Sequence, residues 1–218
     1  MDRTIHKSGH IAGLAKNETL LLLPFVKEPW REFTLSEIKK ATGKRSHHYV
    51  FEALKKFSSL GLLKEARKGN TNTYKVDSSN AGNAAYFAFA ESLAAAERKD
   101  IPVKNLRRIL DKIKSPFFSL IVCGSYAEGK QRPASDLDVA IIIPDGETKK
   151  AYEIALREGE LMVPEIHGFV FTGEELYLML TNDEFNYGKE LAGKHVIIYG
   201  AESYYRILFG ALRHGFKS

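Results

Sequence analysis

The 218-residue sequence predicts an α+β fold, with a small helical domain that carries a β-hairpin followed by a small mixed-sheet domain with flanking helices. Residues 1–80 show three helical patterns and then two alternating runs, whereas short apolar runs alternate with helical patterns after residue 117. The charge changes as well, because residues 1–80 carry 15 Lys and Arg against 8 Asp and Glu, and residues 81–218 carry 17 against 19. We therefore expect domains at 1–80 and 117–218, joined by connecting helices at 81–116.

Composition excludes a membrane-spanning or disulfide-stabilised protein. The longest apolar run, residues 20–26, is too short to cross a bilayer, and it does not have the features of a signal peptide. The single cysteine, Cys123, can form no internal disulfide, which is typical of the reducing cytoplasm. We expect a cytoplasmic protein with no membrane partner, in which Cys123 is a small core residue.

Local signals define each element of the first domain. Thr34, followed three residues later by Glu37, forms a capping box, and Gly43 ends the helix that it opens. Ser46 caps the next helix, which Gly61 ends. The predicted elements are a leucine-rich helix at 18–27, a helix at 34–42, a helix from Ser46 to Gly61, and strands at 62–66 and 73–76 around a polar tip at 67–72.

Three helices followed by a basic hairpin resemble a winged helix-turn-helix. The resemblance implies that the third helix enters a DNA major groove and that the hairpin contacts the DNA backbone or minor groove. The implied DNA contacts are Lys44, Arg45, Ser46, His47, His48 and Tyr49 on the helix and Arg67 and Lys68 on the hairpin. Winged helices also serve as dimerisation or protein-docking modules, and a lysine-rich helix is often a solvated face. The sequence leaves the oligomeric state undetermined, so a dimer stays an open alternative.

Two helices are expected between the domains. Residues 83–99 are rich in alanine and place Tyr86, Phe87, Phe89, Ala90 and Leu93 on one face. Pro102 interrupts this pattern, and a second helix at 103–114 leads to a strand at 117–123. The elements expected after that strand are a strand at 136–143, a helix at 149–159, a strand at 161–171, helices at 172–180 and 183–191, a strand at 195–200 and a helix at 202–212.

Two carboxylates open the apolar strand at 136–143. Residues two apart in a strand share a face, so Asp136 and Asp138 project together while Leu137 and Val139 face the other way. Two carboxylates held so close repel each other unless a positive charge lies between them, and a hard divalent cation is the usual solution. The spacing therefore predicts a metal site.

A glycine turn lies beside this pair. Gly124 and Ser125 end the preceding apolar run, and Gly129 follows four residues later. With Ser135-Asp136-Leu137-Asp138 they resemble the G-S-x-x-x-G…S-D-x-D signature of the DNA polymerase β nucleotidyltransferase superfamily, and in particular its minimal prokaryotic members. The resemblance covers residues 117–214. It implies that a nucleoside triphosphate, with ATP as the leading candidate, is attacked at its α-phosphate by a hydroxyl group while pyrophosphate leaves.

The chemistry of the residues agrees with that expectation. Gly124 lets a phosphate approach the backbone amides, and Ser125 can donate its hydroxyl to a phosphate oxygen. Lys130 and Arg132 can neutralise a triphosphate, with Ser135 next to them in the motif. Mg²⁺ or Mn²⁺ would be held by the two aspartates, and a second metal, if present, would activate the attacking hydroxyl.

The resemblance also implies a third carboxylate on a neighbouring strand. Glu165 is the only carboxylate of the predicted strand at 161–171, and it would complete the metal site or act as the base. Glu160 on the preceding turn is the competing candidate. His167 either steers the substrate or is a satisfied core histidine, and we favour the core interpretation.

Two functions follow. The first is a metal-dependent nucleotidyltransferase whose acceptor is a protein hydroxyl, an RNA end or a small molecule. An antitoxin that modifies a cognate toxin is one form of it. The second is a DNA-binding transcriptional regulator whose nucleotidyltransferase domain senses nucleotide or is inactive. The sequence leaves the acceptor and the nucleotide base undetermined.

Overall fold

The computed structural model describes residues 14–216. These residues form a mixed α/β structure with two β-sheets. No helix among them is long and apolar enough to cross a membrane.

The first part of the chain packs helices against a three-stranded antiparallel sheet. Its elements are α1 (Lys16–Thr19), a 3₁₀ turn (Leu20–Leu22), α2 (Leu23–Lys27), β1 (Phe33–Thr34), α3 (Leu35–Thr42), α4 (His47–Ser59), β2 (Leu63–Lys68) and β3 (Thr71–Val76), with strand order β1-β3-β2. The expected capping box is formed, since Thr34 and Glu37 bond reciprocally at the start of α3. Gly43 ends α3 in the left-handed conformation. The expected first helix is interrupted where Pro24, which has no N–H to donate, enters it.

The second part contains a four-stranded mixed sheet. After α5 (Asn83–Ala96) and α6 (Val103–Leu110) come β4 (Ser119–Val122), α7 (Gly124–Glu128), β5 (Leu137–Ile143), α8 (Lys149–Arg157), a 3₁₀ turn (Glu158–Leu161), β6 (Ile166–Thr172), α9 (Gly173–Thr181), α10 (Tyr187–Gly193), β7 (Val196–Tyr199) and α11 (Ala201–Arg213). The strand order is β6-β5-β4-β7. Strands β5 and β6 are parallel, and β4 runs antiparallel to both of its neighbours.

Helices cover both faces of this sheet. Alternate residues of each strand point to opposite faces, and the buried side chains accordingly form two clusters. One cluster joins Leu120, Val139 and Ile141 to helices α6 and α8. The other joins Ile121, Ala140 and Ile142 to helices α5, α9, α10 and α11. The start of β5 therefore lies at one end of a sheet that is covered by helices on both faces.

Helix α5 ties the two parts of the chain together. Phe87 is fully buried, and its ring lies 5.1 Å from that of Phe209 in α11. The buried Asn83 side-chain amide donates to the carbonyl oxygens of Leu62 at 3.2 Å and Asp77 at 2.6 Å, at the end of the first part. One continuous cluster of buried side chains runs from Phe25 through α5 into the mixed sheet.

Several expected boundaries differ from the structure. The strand expected at 161–171 begins only at Ile166, because Glu158–Leu161 form a 3₁₀ turn and Pro164 has no N–H for a ladder. The helix expected from residue 183 begins at Tyr187, where Asn186 caps it. Phe89, which was expected to share one face of α5 with Phe87, is 50% exposed, whereas Phe87 is buried.

Candidate active site

A glycine turn connects β4 to α7. Gly124 has φ +61°, a left-handed conformation that favours glycine. A Cβ atom built on Gly124 would lie 2.3 Å from Oδ2 of Asp138. The missing side chain therefore leaves the space in which the Asp138 carboxylate rests against the turn. Gly129, with φ +67°, ends α7, and the Lys130 amide donates to the Ser125 carbonyl at 2.9 Å.

The two aspartates lie at the start of β5, as the alternation predicts. Asp138 is half-buried and Asp136 is exposed, while Leu137 and Val139 are buried on the opposite face. The carbonyl oxygen of Asp138 accepts from the Cys123 amide at 2.9 Å, and this bond fixes the strand beside the glycine turn. Asp136, Asp138 and the turn are therefore brought together, as expected.

The neighbouring strand adds His167 and Glu165. His167 is the register partner of Asp138 across the parallel β5–β6 pair. Its Nε2 atom lies 2.9 Å from Oε1 of Glu165, and its Nδ1 atom lies 3.8 Å from Oδ2 of Asp136. The expectation of a core histidine is wrong, since the His167 side chain is 48% exposed at the end of the sheet. Glu165 precedes β6 and reaches the site through this imidazole.

The pKa values of Asp138 and His167 reflect the burial and the negative charge of the site. The pKa of Asp138 is raised, first because burial disfavours the carboxylate and further because Asp136 and Glu190 are nearby, although His167 opposes the shift. The pKa of His167 is raised mainly by its hydrogen bond to Glu165. A positive charge at this place is therefore favoured.

The aspartates fit a hard divalent cation by their chemistry, since carboxylate oxygens are the ligands that Mg²⁺ and Mn²⁺ prefer. The Asp138 carboxylate rests against the glycine turn, and a cation would relieve the repulsion between Asp138 and Asp136. Within residues 14–216, however, no group of three His, Cys, Asp or Glu side chains is arranged to hold a metal ion. Glu165 is hydrogen-bonded to His167, so the placement of a third ligand stays a prediction.

The loop from Lys130 to Ser135 borders the site. The Ser135 hydroxyl accepts from the Arg132 amide at 2.8 Å, so this serine shapes the loop itself. The Lys130 ammonium lies 3.3 Å from Glu128, which also pairs with Lys194. Arg132 is exposed. Ser135 therefore stabilises the loop, and Lys130 is held by a carboxylate.

Helix α10 supports the turn from behind, a contribution that the sequence did not predict. The Sγ atom of Cys123 lies 3.1 Å from the Tyr187 hydroxyl. Burial raises the pKa of the Cys123 thiol to about 12, so Cys123 is the core residue that was expected. The Tyr187 ring packs 5.5 Å from the rings of Phe169 and Phe171.

Arg98, beyond the end of α5, holds the other end of α7. Its guanidinium donates to the carbonyl oxygens of Tyr126 and Ala127, the latter at 3.0 Å. Asp100 binds the same guanidinium at 2.8 and 2.9 Å, and Gln131 donates to Asp100 at 3.0 Å. The segment that follows α5 therefore also anchors α7, the helix that begins at the glycine turn. The sequence could not show this, because the contact spans 29 positions.

The residues expected to contact DNA lie at the start of α4 and on the β2–β3 hairpin. Arg45, His47, His48, Arg67 and Lys68 are exposed. Ser46 caps α4 by accepting from the Tyr49 amide at 3.2 Å, and Tyr49 is partly buried. Lys44 donates to Asn17 at 3.3 Å, and Lys68 pairs with Glu32 at 2.8 Å, so these two ammonium groups already have partners.

A cavity of about 840 Å³ lies at the opposite end of the mixed sheet and includes neither aspartate. Its lining combines the end of β5 with the start of α9 and one side of α11. The two aspartates lie instead at the start of β5.

Residues 103–197 match a family model described as a nucleotidyltransferase domain, of the DNA polymerase β-like superfamily. The matched stretch contains Gly124, Ser125, Asp136, Asp138 and Glu165. Searches of curated proteins and of solved structures returned no match. Residues 103–197 are thus similar to a nucleotidyltransferase domain, and this similarity supports a nucleotidyl transfer function in general terms.

Proposed function

We propose that the protein transfers a nucleoside monophosphate from a nucleoside triphosphate, ATP in the first instance, to a hydroxyl acceptor. The observation that carries this proposal is the contact between the left-handed Gly124 turn and the Asp138 carboxylate. It places backbone amides that suit phosphate beside carboxylates that suit a divalent cation, within a stretch that matches the nucleotidyltransferase domain.

Each part of the site has a proposed role. The turn at Gly124 and the Ser125 hydroxyl would bind the phosphates, and Arg132 would offset part of their charge, with Lys130, Gly129 and Ser135 shaping the loop. Asp136 and Asp138 would hold Mg²⁺ or Mn²⁺. When bound, that cation supplies charge neutralisation at the phosphates and activation of the hydroxyl.

Glu165 is proposed as the third carboxylate, either as a ligand or as the group that accepts the proton of the acceptor hydroxyl. Support comes from its place directly before β6, the strand that pairs with β5, and from its 2.9 Å contact with His167. Glu160, in the 3₁₀ turn before β6, is exposed and makes no comparable contact with His167 among the described residues.

The test is transfer of label from each α-labelled nucleoside triphosphate to cell extract and to the protein itself, with Mg²⁺ or Mn²⁺. We expect at least a hundredfold loss in Asp136→Asn and Asp138→Asn, because each removes one of the two charges that would bind the cation. Asp145→Asn, a carboxylate at the far end of the sheet, is the matched control. Transfer that survives in both site variants would refute the proposal.

We further propose that residues 1–80 form a winged helix-turn-helix that binds nucleic acid, followed by connecting helices at 81–116 and the catalytic domain at 117–218. Support comes from the α3–turn–α4 arrangement beside the β2–β3 hairpin, with Arg45 and Arg67 exposed. Binding to duplex DNA should fall steeply with salt, because counterions are released from the phosphates. An Arg45→Ala/Arg67→Ala variant with unchanged affinity would rule out this interface.

A further inference from the structure

The two edges of the mixed sheet differ. At the β7 edge, the outward amide of Ile197 donates at 2.9 Å to Glu91, a buried carboxylate of α5 that also accepts from Tyr205 at 3.1 Å. At the β6 edge no element between residues 14 and 216 pairs with the strand, since β6 is the last strand in the order β6-β5-β4-β7. One edge is closed by a side chain, and the other is open.

The hydrogen-bond register identifies the free groups of β6. The Leu137 amide donates to the Glu165 carbonyl at 2.8 Å. In a parallel pair, this hydrogen bond sets the backbone N–H and C=O groups of His167, Phe169 and Phe171 toward β5. The backbone groups of the residues between them point away from β5, toward the open edge. Thr172, which lies outward, has its amide capped by Glu175 at 2.8 Å. Among residues 14–216, no partner is found for the outward groups of Ile166, Gly168 and Val170.

This edge lacks the usual protection against pairing. Proteins guard free edges with lysines, prolines or charged side chains. Strand β2, which is at the edge of the smaller sheet, shows that protection, since residues 64–68 are exposed and include Lys64, Arg67 and Lys68. Strand β6 reads Ile-His-Gly-Phe-Val-Phe-Thr with no lysine, arginine or proline, and Phe169 is 54% exposed.

A groove runs along the open edge. Its volume is about 410 Å³, and residues 166–169 of β6 form one wall. The other wall comes from α8 and the 3₁₀ turn, with the exposed carboxylates of Glu153 and Glu160 against the single guanidinium of Arg157. Glu165 adds a further exposed carboxylate at the end of the strand. The groove therefore carries a net negative charge.

We propose that this groove binds an extended, basic segment of a partner protein, which adds to the sheet as a strand beside β6. The free N–H and C=O groups of Gly168 and Val170 provide the backbone pairing, whereas Ile166 is only 1% exposed and is covered by the 3₁₀ turn. The carboxylates of Glu153 and Glu160 select lysine or arginine and disfavour polyanions such as nucleic acid. His167 of the candidate active site is part of the groove wall, so the added segment runs past that site. The inference does not depend on the reaction that this site performs.

The test begins with a displayed library of random 12-residue peptides selected on the full-length protein. We expect enrichment of basic peptides with alternating apolar residues. Synthetic versions should slow amide hydrogen exchange in residues 166–170 and should lose at least tenfold in affinity when alternate residues are N-methylated, because one backbone edge can then no longer donate. Control peptides that carry the same side chains in scrambled order should change little in affinity when they are N-methylated.

Matched variants of the protein complete the test. Glu153→Lys/Glu160→Lys should weaken binding at least tenfold, whereas Glu184→Lys, an exposed carboxylate outside the groove, should not. Both variants change exposed side chains, and equal melting temperatures would show that both are folded. Failure to select any peptide would overturn the proposal. So would selected peptides whose binding ignores both N-methylation and the charge reversal, or whose exchange protection falls outside β6.

Discussion

Replacing Gly124 with alanine tests the geometry on which the candidate site depends. The substitution has two separable effects. It places an L side chain at φ +61°, and it places a Cβ atom 2.3 Å from Oδ2 of Asp138. Ordinary carbon–oxygen contacts need about 1 Å more than this. The carboxylate, or the turn, must therefore move by about that amount.

The two effects have different magnitudes and different readouts. The left-handed conformation costs alanine about 1–2 kcal/mol. For a protein of this length, that cost lowers the melting temperature by about 2–8 °C. A shift of about 1 Å at a reacting group costs roughly a hundredfold in rate. We therefore expect a modest loss of stability together with a large loss of nucleotidyl transfer.

The control is Gly146→Ala. Gly146 has φ +86° and has no atom within 4 Å of its built Cβ, so it shares the backbone strain and lacks the contact with a carboxylate. Thermal unfolding and transfer of α-labelled nucleotide should be measured on both variants. Both should lose similar stability, and only Gly124→Ala should lose transfer. Equal transfer in the two variants would refute the proposed role of the Gly124–Asp138 contact.

Three further outcomes can be measured. Arg98→Ala should weaken nucleotide binding about tenfold by calorimetry, because the carbonyls of Tyr126 and Ala127 lose their donor, whereas Arg107→Ala on the exposed face of α6 should not. Glu91→Ala should lower the free energy of unfolding by about 1–3 kcal/mol, since the buried Ile197 amide and Tyr205 hydroxyl lose their acceptor. Glu91→Gln should lower it less, and equal losses in the two variants would contradict this account. The raised pKa of His167 should give an NMR titration midpoint above 6.5 that falls in Glu165→Gln. Its contribution to stability is then full below the unfolded pKa of about 6.5 and disappears as the pH rises through the folded value.

Local signals in the sequence predicted the fold best. The capping box at Thr34 and the glycine stop at Gly43 form as expected, because each depends on residues within one helical turn. Strand β1 was missed because its two residues are too few to show an alternation. The exposure of Phe89 was missed because only the packing of α5 against α2, β7 and α11 decides which face is buried.

In the candidate site too, the local features could be predicted from the sequence, whereas the contacts from distant elements could not. The common face of Asp136 and Asp138 follows from the two-residue period of a strand, and the chemistry of the glycine turn follows from its residues. The effect of Glu190 on Asp138, the support from Tyr187 and the anchor at Arg98 come from elements far away in sequence. The exposure of His167 follows from its place at the end of an edge strand. The sequence predicted strand β6 but not its position at the edge of the sheet.

Because Cys123 is buried against Tyr187, the reactivity of its thiol can report motion at the site. Alkylating reagents attack the thiolate, and burial holds the pKa of this thiol near 12. Modification must therefore wait for the end of β4 to open. Because Cys123 is the single cysteine of the chain, the rate of mass gain under native conditions measures that opening without any introduced label. A ligand that closes the adjoining Gly124 turn should slow the reaction, so alkylation kinetics can rank candidate nucleotides before any acceptor is known.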